Sequence, residues 1–156
     1  MTEEAISNQE LARNLLAHGG SAALATLTHD GGPFASYVMT APAADGSPLM
    51  LLSRLAEHTK NLDRDPRASL LFVREPPAGE ETMTALRLSL TGRCARDADP
   101  KSKRLFLERH PDAARYAGFA DFSLFRFDIA AGHMVAGFGR IVALTPEELL
   151  AKSRAA

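Results

Sequence analysis

The chain has a single cysteine, Cys94, in 156 residues, so it can form no internal disulfide. A reducing compartment suits such a chain, and Cys94 reads as a small buried hydrophobe on a strand. No apolar run approaches the ~20 residues that a bilayer-spanning helix needs. The opening Met1-Thr-Glu-Glu is acidic where a secretory leader is basic. Together these features make the cytoplasm the expected location. Charge of one sign is also missing, since 18 lysines and arginines face 19 acids for a net charge of −1. A nucleic-acid platform, which neutralises phosphates with a basic face, is not expected. The five histidines (His18, His29, His58, His110, His133) show neither an HExxH pattern nor short paired spacing, so no metal site is expected. No Gly-x-Ser-x-Gly elbow is present for acyl transfer. Gly137-Phe138-Gly139 is half of a dinucleotide fingerprint, without the third glycine or the following helix. Internal repeats, low-complexity tracts and linkers are absent as well.

What remains is an ordinary globular composition, 46% apolar and 24% charged. The length suits one domain over 1–156, which buries roughly 70% of its unfolded surface. Ser7 and Glu10 form a capping-box pattern ahead of Leu11, Leu15 and Leu16 at helical spacing, and Gly19-Gly20 ends that helix. Strands are predicted over 21–28 and 34–40 around the turn His29-Asp-Gly-Gly-Pro33, and over 49–53 after a second turn. A helix over 56–64 stops at Asp65-Pro66, because the residue before proline avoids helical angles. A strand over 69–74 follows. Over 83–95, Leu86, Leu88 and Leu90 alternate with Arg87, Ser89 and Thr91, the period-two mark of a half-buried strand. Helices over 100–109 and 111–116 precede strands over 122–129 and 134–144. Thr145-Pro-Glu-Glu148 opens a terminal helix. Hairpin-linked strands with few helices predict a mainly β architecture, a closed or partly closed antiparallel barrel with flanking helices.

The joint between the strand at 49–53 and its following helix carries the densest set of hydrogen-bonding groups. Ser53, Arg54, His58, Thr59, Lys60 and Asn61 stand at or near a helix entrance. There the first amides lack partners and the macrodipole favours an anion. The dipole supplies about 0.3–1 kcal/mol. Charge-assisted hydrogen bonds supply about 1.5–3 kcal/mol each. Micromolar binding needs ~8 kcal/mol beyond the cost of lost freedom, so a phosphate held here needs help from a buried apolar ring. Spacing alone equally describes a solvated helix face.

The run Ser53-Arg-Leu-Ala-Glu-His-Thr-Lys-Asn-Leu-Asp-Arg-Asp-Pro-Arg-Ala-Ser-Leu-Leu-Phe72 resembles the FMN-binding segment of the pyridoxamine 5′-phosphate oxidase-like split-barrel family. Gly132-His-Met-Val-Ala-Gly-Phe-Gly-Arg140 resembles the closing strand of its haem-utilisation (HugZ-type) branch. The resemblance implies a six-stranded antiparallel Greek-key split barrel, a homodimer, and FMN in clefts between the subunits. It places Ser36, Tyr37 and Val38 along the flavin ring or ribityl chain, and Ser53 and Arg54 beside the ribityl phosphate. His58, Thr59, Lys60 and Asn61 would hold the phosphate. Arg87 and Ser89 would reach the cleft from the partner subunit, and Gly137, Phe138, Gly139 and Arg140 would pack on the flavin or a second ligand.

Departures from that pattern narrow the activity. The second strand, Phe34-Ala-Ser-Tyr-Val-Met-Thr40, has no arginine or lysine, and no Arg-x-His follows Phe127, so vitamin B6 oxidation is not expected. The tail from Thr145 to Ala156 has no histidine for the iron ligation used by haem-degrading relatives. The expectation is an FMN-dependent oxidoreductase of unassigned substrate, with no catalytic side chain named because the flavin carries the chemistry. The alternative is a non-catalytic flavin or haem binder in haem utilisation. A haem ligand outside the tail would be His133 or His58.

Overall fold

The computed structural model describes residues 6–137 and 139–151. Its centre is one sheet of eight strands in which every neighbouring pair is antiparallel. The strands are β1 (Ser21–Leu27), β2 (Pro33–Met39), β3 (Ala41–Pro42), β4 (Pro48–Ser53), β5 (Arg67–Arg74), β6 (Leu86–Arg96), β7 (Phe122–Ala136) and β8 (Ile141–Leu144). The helices are α1 (Asn8–His18), α2 (Glu57–Arg64), α3 (Pro100–Arg109) and α4 (Pro146–Leu149), with 3-10 turns at Thr82–Thr84 and Pro111–Arg115. The strand order is β2-β1-β5-β6-β7-β4-β3, and β8 pairs with β7. The sheet curls into a half-barrel, as broad twisted antiparallel sheets do. The mainly β split-barrel class with flanking helices thus holds, with eight strands in place of six. The two short strands β3 and β8 account for the difference.

Alternation decides which side of the sheet meets the core. Leu86, Leu88 and Leu90 of β6 are buried, while Arg87 and Ser89 face the other way. Leu24, Leu70, Leu88, Leu90, Phe72, Phe127 and Met134 fill the main core, which α1 closes with Ala12, Leu15 and Leu16. A smaller cluster of Ala41, Ala43, Leu49, Phe106, Ala113 and Leu124 packs under α3. Cys94 is buried in the main core, and burial, with a contribution from Asp128, pushes its thiol up to about 12.

The caps form where local pattern places them. Ser7 Oγ accepts from the Glu10 amide, and Thr145 with Glu148 makes a complete capping box. Asp65 stops α2 and binds the Arg67 side chain and amide, which hold its carboxyl down at about 2.

Two boundaries differ from the sequence pattern. The strands expected over 122–129 and 134–144 are instead one 15-residue strand, β7, followed by the hairpin to β8. The small residues Ala130-Ala131-Gly132 read as a break, yet ladder hydrogen bonds need no side chains. A bulge absorbs the irregularity. Thr91 pairs with Ala131 and Gly92 with Ile129, which leaves Ala130 as the extra residue. Gly92 is required there, since a Cβ would stand 2.0 Å from the Asp128 carbonyl oxygen. The strand expected from Met83 begins only at Leu86, because Thr82–Thr84 closes a 3-10 turn.

Candidate functional site

The joint between β4 and α2 is organised by residues far away in the chain. Ser53 Oγ donates to Asp121 Oδ2 at 2.9 Å and accepts from the Leu55 amide at 3.1 Å. The Arg54 amide donates to the Asp121 carbonyl at 2.6 Å. Asp121, just ahead of β7, therefore fixes the exit of β4. No local signal in the sequence marks Asp121, and its role arises only from the pairing of Ser53 with Phe122.

Helix α2 has Ala56 at its N-cap, whose side chain caps nothing. The Ala56, Thr59 and Lys60 amides bond to carbonyls of the joint itself. Among the described residues the Glu57 and His58 amides make no hydrogen bond, so two donors remain at the helix entrance.

The side chains expected to hold a phosphate there divide sharply. Asn61 is buried, donates to Thr26 Oγ1 at 3.0 Å, and accepts from Arg64 at 2.6 Å. It fastens α2 to β1 and does not face the entrance. Thr59 is buried too, and its hydroxyl has no partner among the described residues. Lys60 is exposed and lies 3.4 Å from the Glu57 carboxylate, in an ion pair of the kind that contributes little. Arg54 is exposed and joins no ion pair among the described residues. Leu55 beside it is 69% exposed.

His58 is half-buried, with Nδ1 3.0 Å from Ser36 Oγ. Burial holds its pKa below the ordinary 6.5, so the neutral imidazole prevails. The structure thus brings Ser36 and His58 into contact, with Arg54 exposed on the chain leading into the helix. Thr59 and Asn61 are turned into the protein. The groups left open to an anion here are the Glu57 and His58 amides, with the exposed Arg54 two residues before the N-cap.

The remaining expected residues lie on β2, on β6 and in the turn from β7 to β8. Val38 is in the core. Tyr37, on the opposite side of β2, is 78% exposed. It stands in register with Ala23 and Leu71, and that row continues through Ser89, His133 and Ala143. The adjacent row is Val73, Arg87, Val135 and Ile141. Tyr37, Leu71, Val73 and Ile141 are all exposed, so this sheet face carries a broad apolar patch. Arg87 lies within it, its Nε buried and without a partner among the described residues. Gly137 and Gly139 have positive φ, 84° and 75°, and turn the chain from β7 into β8. Arg140 closes that turn by accepting from the Ala136 amide through its carbonyl at 2.9 Å. Phe138 lies outside the described residues. No group of three His, Cys, Asp or Glu side chains among the described residues could hold a metal ion.

Comparison with known proteins joins these features to a family. The family model described as CREG, beta-barrel matches residues 3–151. The chain belongs to the CREG β-barrel family. This family has the split-barrel, pyridoxamine 5′-phosphate oxidase-like fold. The chain is 38% identical over 112 residues to the chloroplastic non-canonical heme oxygenase HOZ of Arabidopsis thaliana, covering 70% of its own length and 33% of that protein's. It thus spans about one third of that relative. A heme-binding protein from Mycobacterium smegmatis superposes with a TM-score of 0.85 at 31% identity, over 94% of this chain and 61% of that one. The heme storage protein HutZ from Vibrio cholerae shares the fold, with a TM-score of 0.67 at 18% identity over 80% of this chain and 91% of that one. No helix among the described residues is long and apolar enough to cross a membrane.

Proposed function

We propose that this chain binds haem, as substrate or cargo in haem utilisation, at a site completed by a second copy of the chain. The observation that carries the reading is the donor set at the α2 entrance. Two unpartnered amides and the Arg54 guanidinium suit one carboxylate, and exposed Leu55 offers an apolar neighbour. A porphyrin brings that combination, a large apolar ring carrying carboxylates. The likeness to a heme oxygenase and to a heme-binding protein supports the same ligand. The exposed face of Tyr37, Leu71, Val73 and Ile141, with polar Ser89, Arg87 and His133 among them, supports a homodimer, because four large apolar side chains exposed on one sheet face suit an interface.

Titration with ferric haem, FMN and riboflavin tests the reading. Haem is expected to bind at micromolar concentration with a shifted Soret band, and Arg54→Ala to weaken it about tenfold, one charge-assisted hydrogen bond. No Soret shift, together with FMN bound far more tightly than riboflavin, would overturn it. Mass in solution reports the dimer, and Leu71→Arg is expected to yield monomer. A monomer in the unmodified protein would remove the second copy from the proposal. Aerobic incubation of the haem complex with a reductant separates storage from breakdown by loss of the Soret band.

One observation favours FMN instead. The entrance of α2 is uncapped, and buried Thr59 in its first turn has a hydroxyl without a partner among the described residues. If a phosphate draws these groups out, the chain is the flavin-dependent oxidoreductase that the family resemblance implies. The FMN and riboflavin arms of the titration decide between the two.

A further inference from the structure

We propose that His58 ligates the haem iron through Nε2, with Ser36 as the positioning residue that holds the ring. The assignment rests on haem being the ligand.

An imidazole serves as a metal ligand when it is neutral, when one ring nitrogen is open, and when the other is held by a hydrogen bond that orients the ring. His58 meets each condition. Its Nδ1 is held 3.0 Å from Ser36 Oγ, and Nε2 makes no hydrogen bond among the described residues. Half-burial disfavours the imidazolium, which could not bind iron. The Ser36 hydroxyl both donates and accepts, so the tautomer that metal binding requires keeps its hydrogen bond. Arg54 and Leu55 stand on the same joint, four and three residues before His58.

The other histidines lack this arrangement. His18 is exposed at the end of α1, and His29 is exposed on a turn beside Asp30. His110 commits Nε2 to the Thr40 carbonyl at 2.7 Å and packs its ring on Phe106 at 5.0 Å. His133 is exposed on β7 with no hydrogen bond among the described residues to orient it. The distinction is therefore one of preorganisation. An unsupported surface imidazole must be ordered as the iron binds, whereas His58 is ordered already.

The test is the iron–imidazole stretching band in the resonance Raman spectrum of the ferrous haem complex, recorded for the unmodified protein and four variants. The unmodified protein is expected to show the band, and His58→Ala and His58→Gln to lose it while still taking up haem within about tenfold of the original affinity. Added imidazole is expected to restore the band in His58→Ala. Ser36→Ala is expected to keep the band but move it to lower frequency, because Nδ1 loses its hydrogen-bond partner. His133→Ala should leave it unchanged. A band that persists in both His58 variants, or that disappears in His133→Ala, overturns the ligand assignment and leaves haem binding standing. Absence of any haem uptake by the unmodified protein overturns both. The Gln variant keeps a side chain that can bond Ser36, so it reports on ligation even if the Ala variant folds poorly.

Discussion

Asn61 gives the sharpest separation between a ligand-binding and a scaffold role at the α2 joint. Replacing it with alanine removes the bonds to Thr26 at 3.0 Å and from Arg64 at 2.6 Å, at a residue only 2% exposed. Each lost bond is worth about 0.5–1.5 kcal/mol, and an unsatisfied buried hydroxyl at Thr26 costs about 1–3 kcal/mol more. The expected loss is about 3 kcal/mol, a drop of about 1.5 M in urea midpoint for a slope of about 2 kcal/mol/M. The double variant Asn61→Ala with Thr26→Val is expected to cost at least ~1 kcal/mol less than the two single losses added, since removing both partners leaves nothing buried and unpaired. Haem and FMN affinities of the folded single variant are expected to stay within about threefold of the original. The reasoning fails if Asn61→Ala costs less than about 1 kcal/mol and also selectively weakens FMN against riboflavin, for then Asn61 is a phosphate ligand.

Two further outcomes follow from the same structure. Gly92→Ala forces a Cβ to 2.0 Å from the Asp128 carbonyl, so the β6–β7 bulge must open. We expect about 3 kcal/mol of destabilisation by chemical denaturation, at the upper end of overpacking costs, and a change below ~0.5 kcal/mol would show that the bulge yields easily. His58 has a folded-state pKa below 6.5, so the unfolded chain takes up its proton first as pH falls. Stability is therefore complete above about pH 6.5 and declines as pH drops toward the folded value. His58→Gln should flatten that part of the stability–pH curve, and an unaltered slope would place the titration elsewhere.

Much of the fold is legible along the chain. The Thr145 capping box, the Asp65-Pro66 stop and the alternation of Leu86, Leu88 and Leu90 are short-range patterns, and each appears where its chemistry directs. The two-residue strand at Ala41 and the continuation of β7 through Ala130 escape such patterns. Pairing with a neighbouring strand creates them, and small side chains leave no alternation to read. At the site, the motif from Ser53 to Asn61 marks the place correctly as a strand–helix joint. It does not say which of its side chains point outward.

That last question depends on partners distant in sequence. Ser36 meets His58 across 22 residues, Thr26 meets Asn61 across 35, and Asp121 meets Ser53 across 68. Element type, caps and turns arise from neighbours a few residues apart, so the amino-acid order alone settles them. The division of the joint into scaffold and open groups waits for strand order. Only the packing of α2 on β1 and β2, and of β4 beside β7, takes Asn61 inward, holds His58 by one nitrogen, and leaves Arg54 exposed.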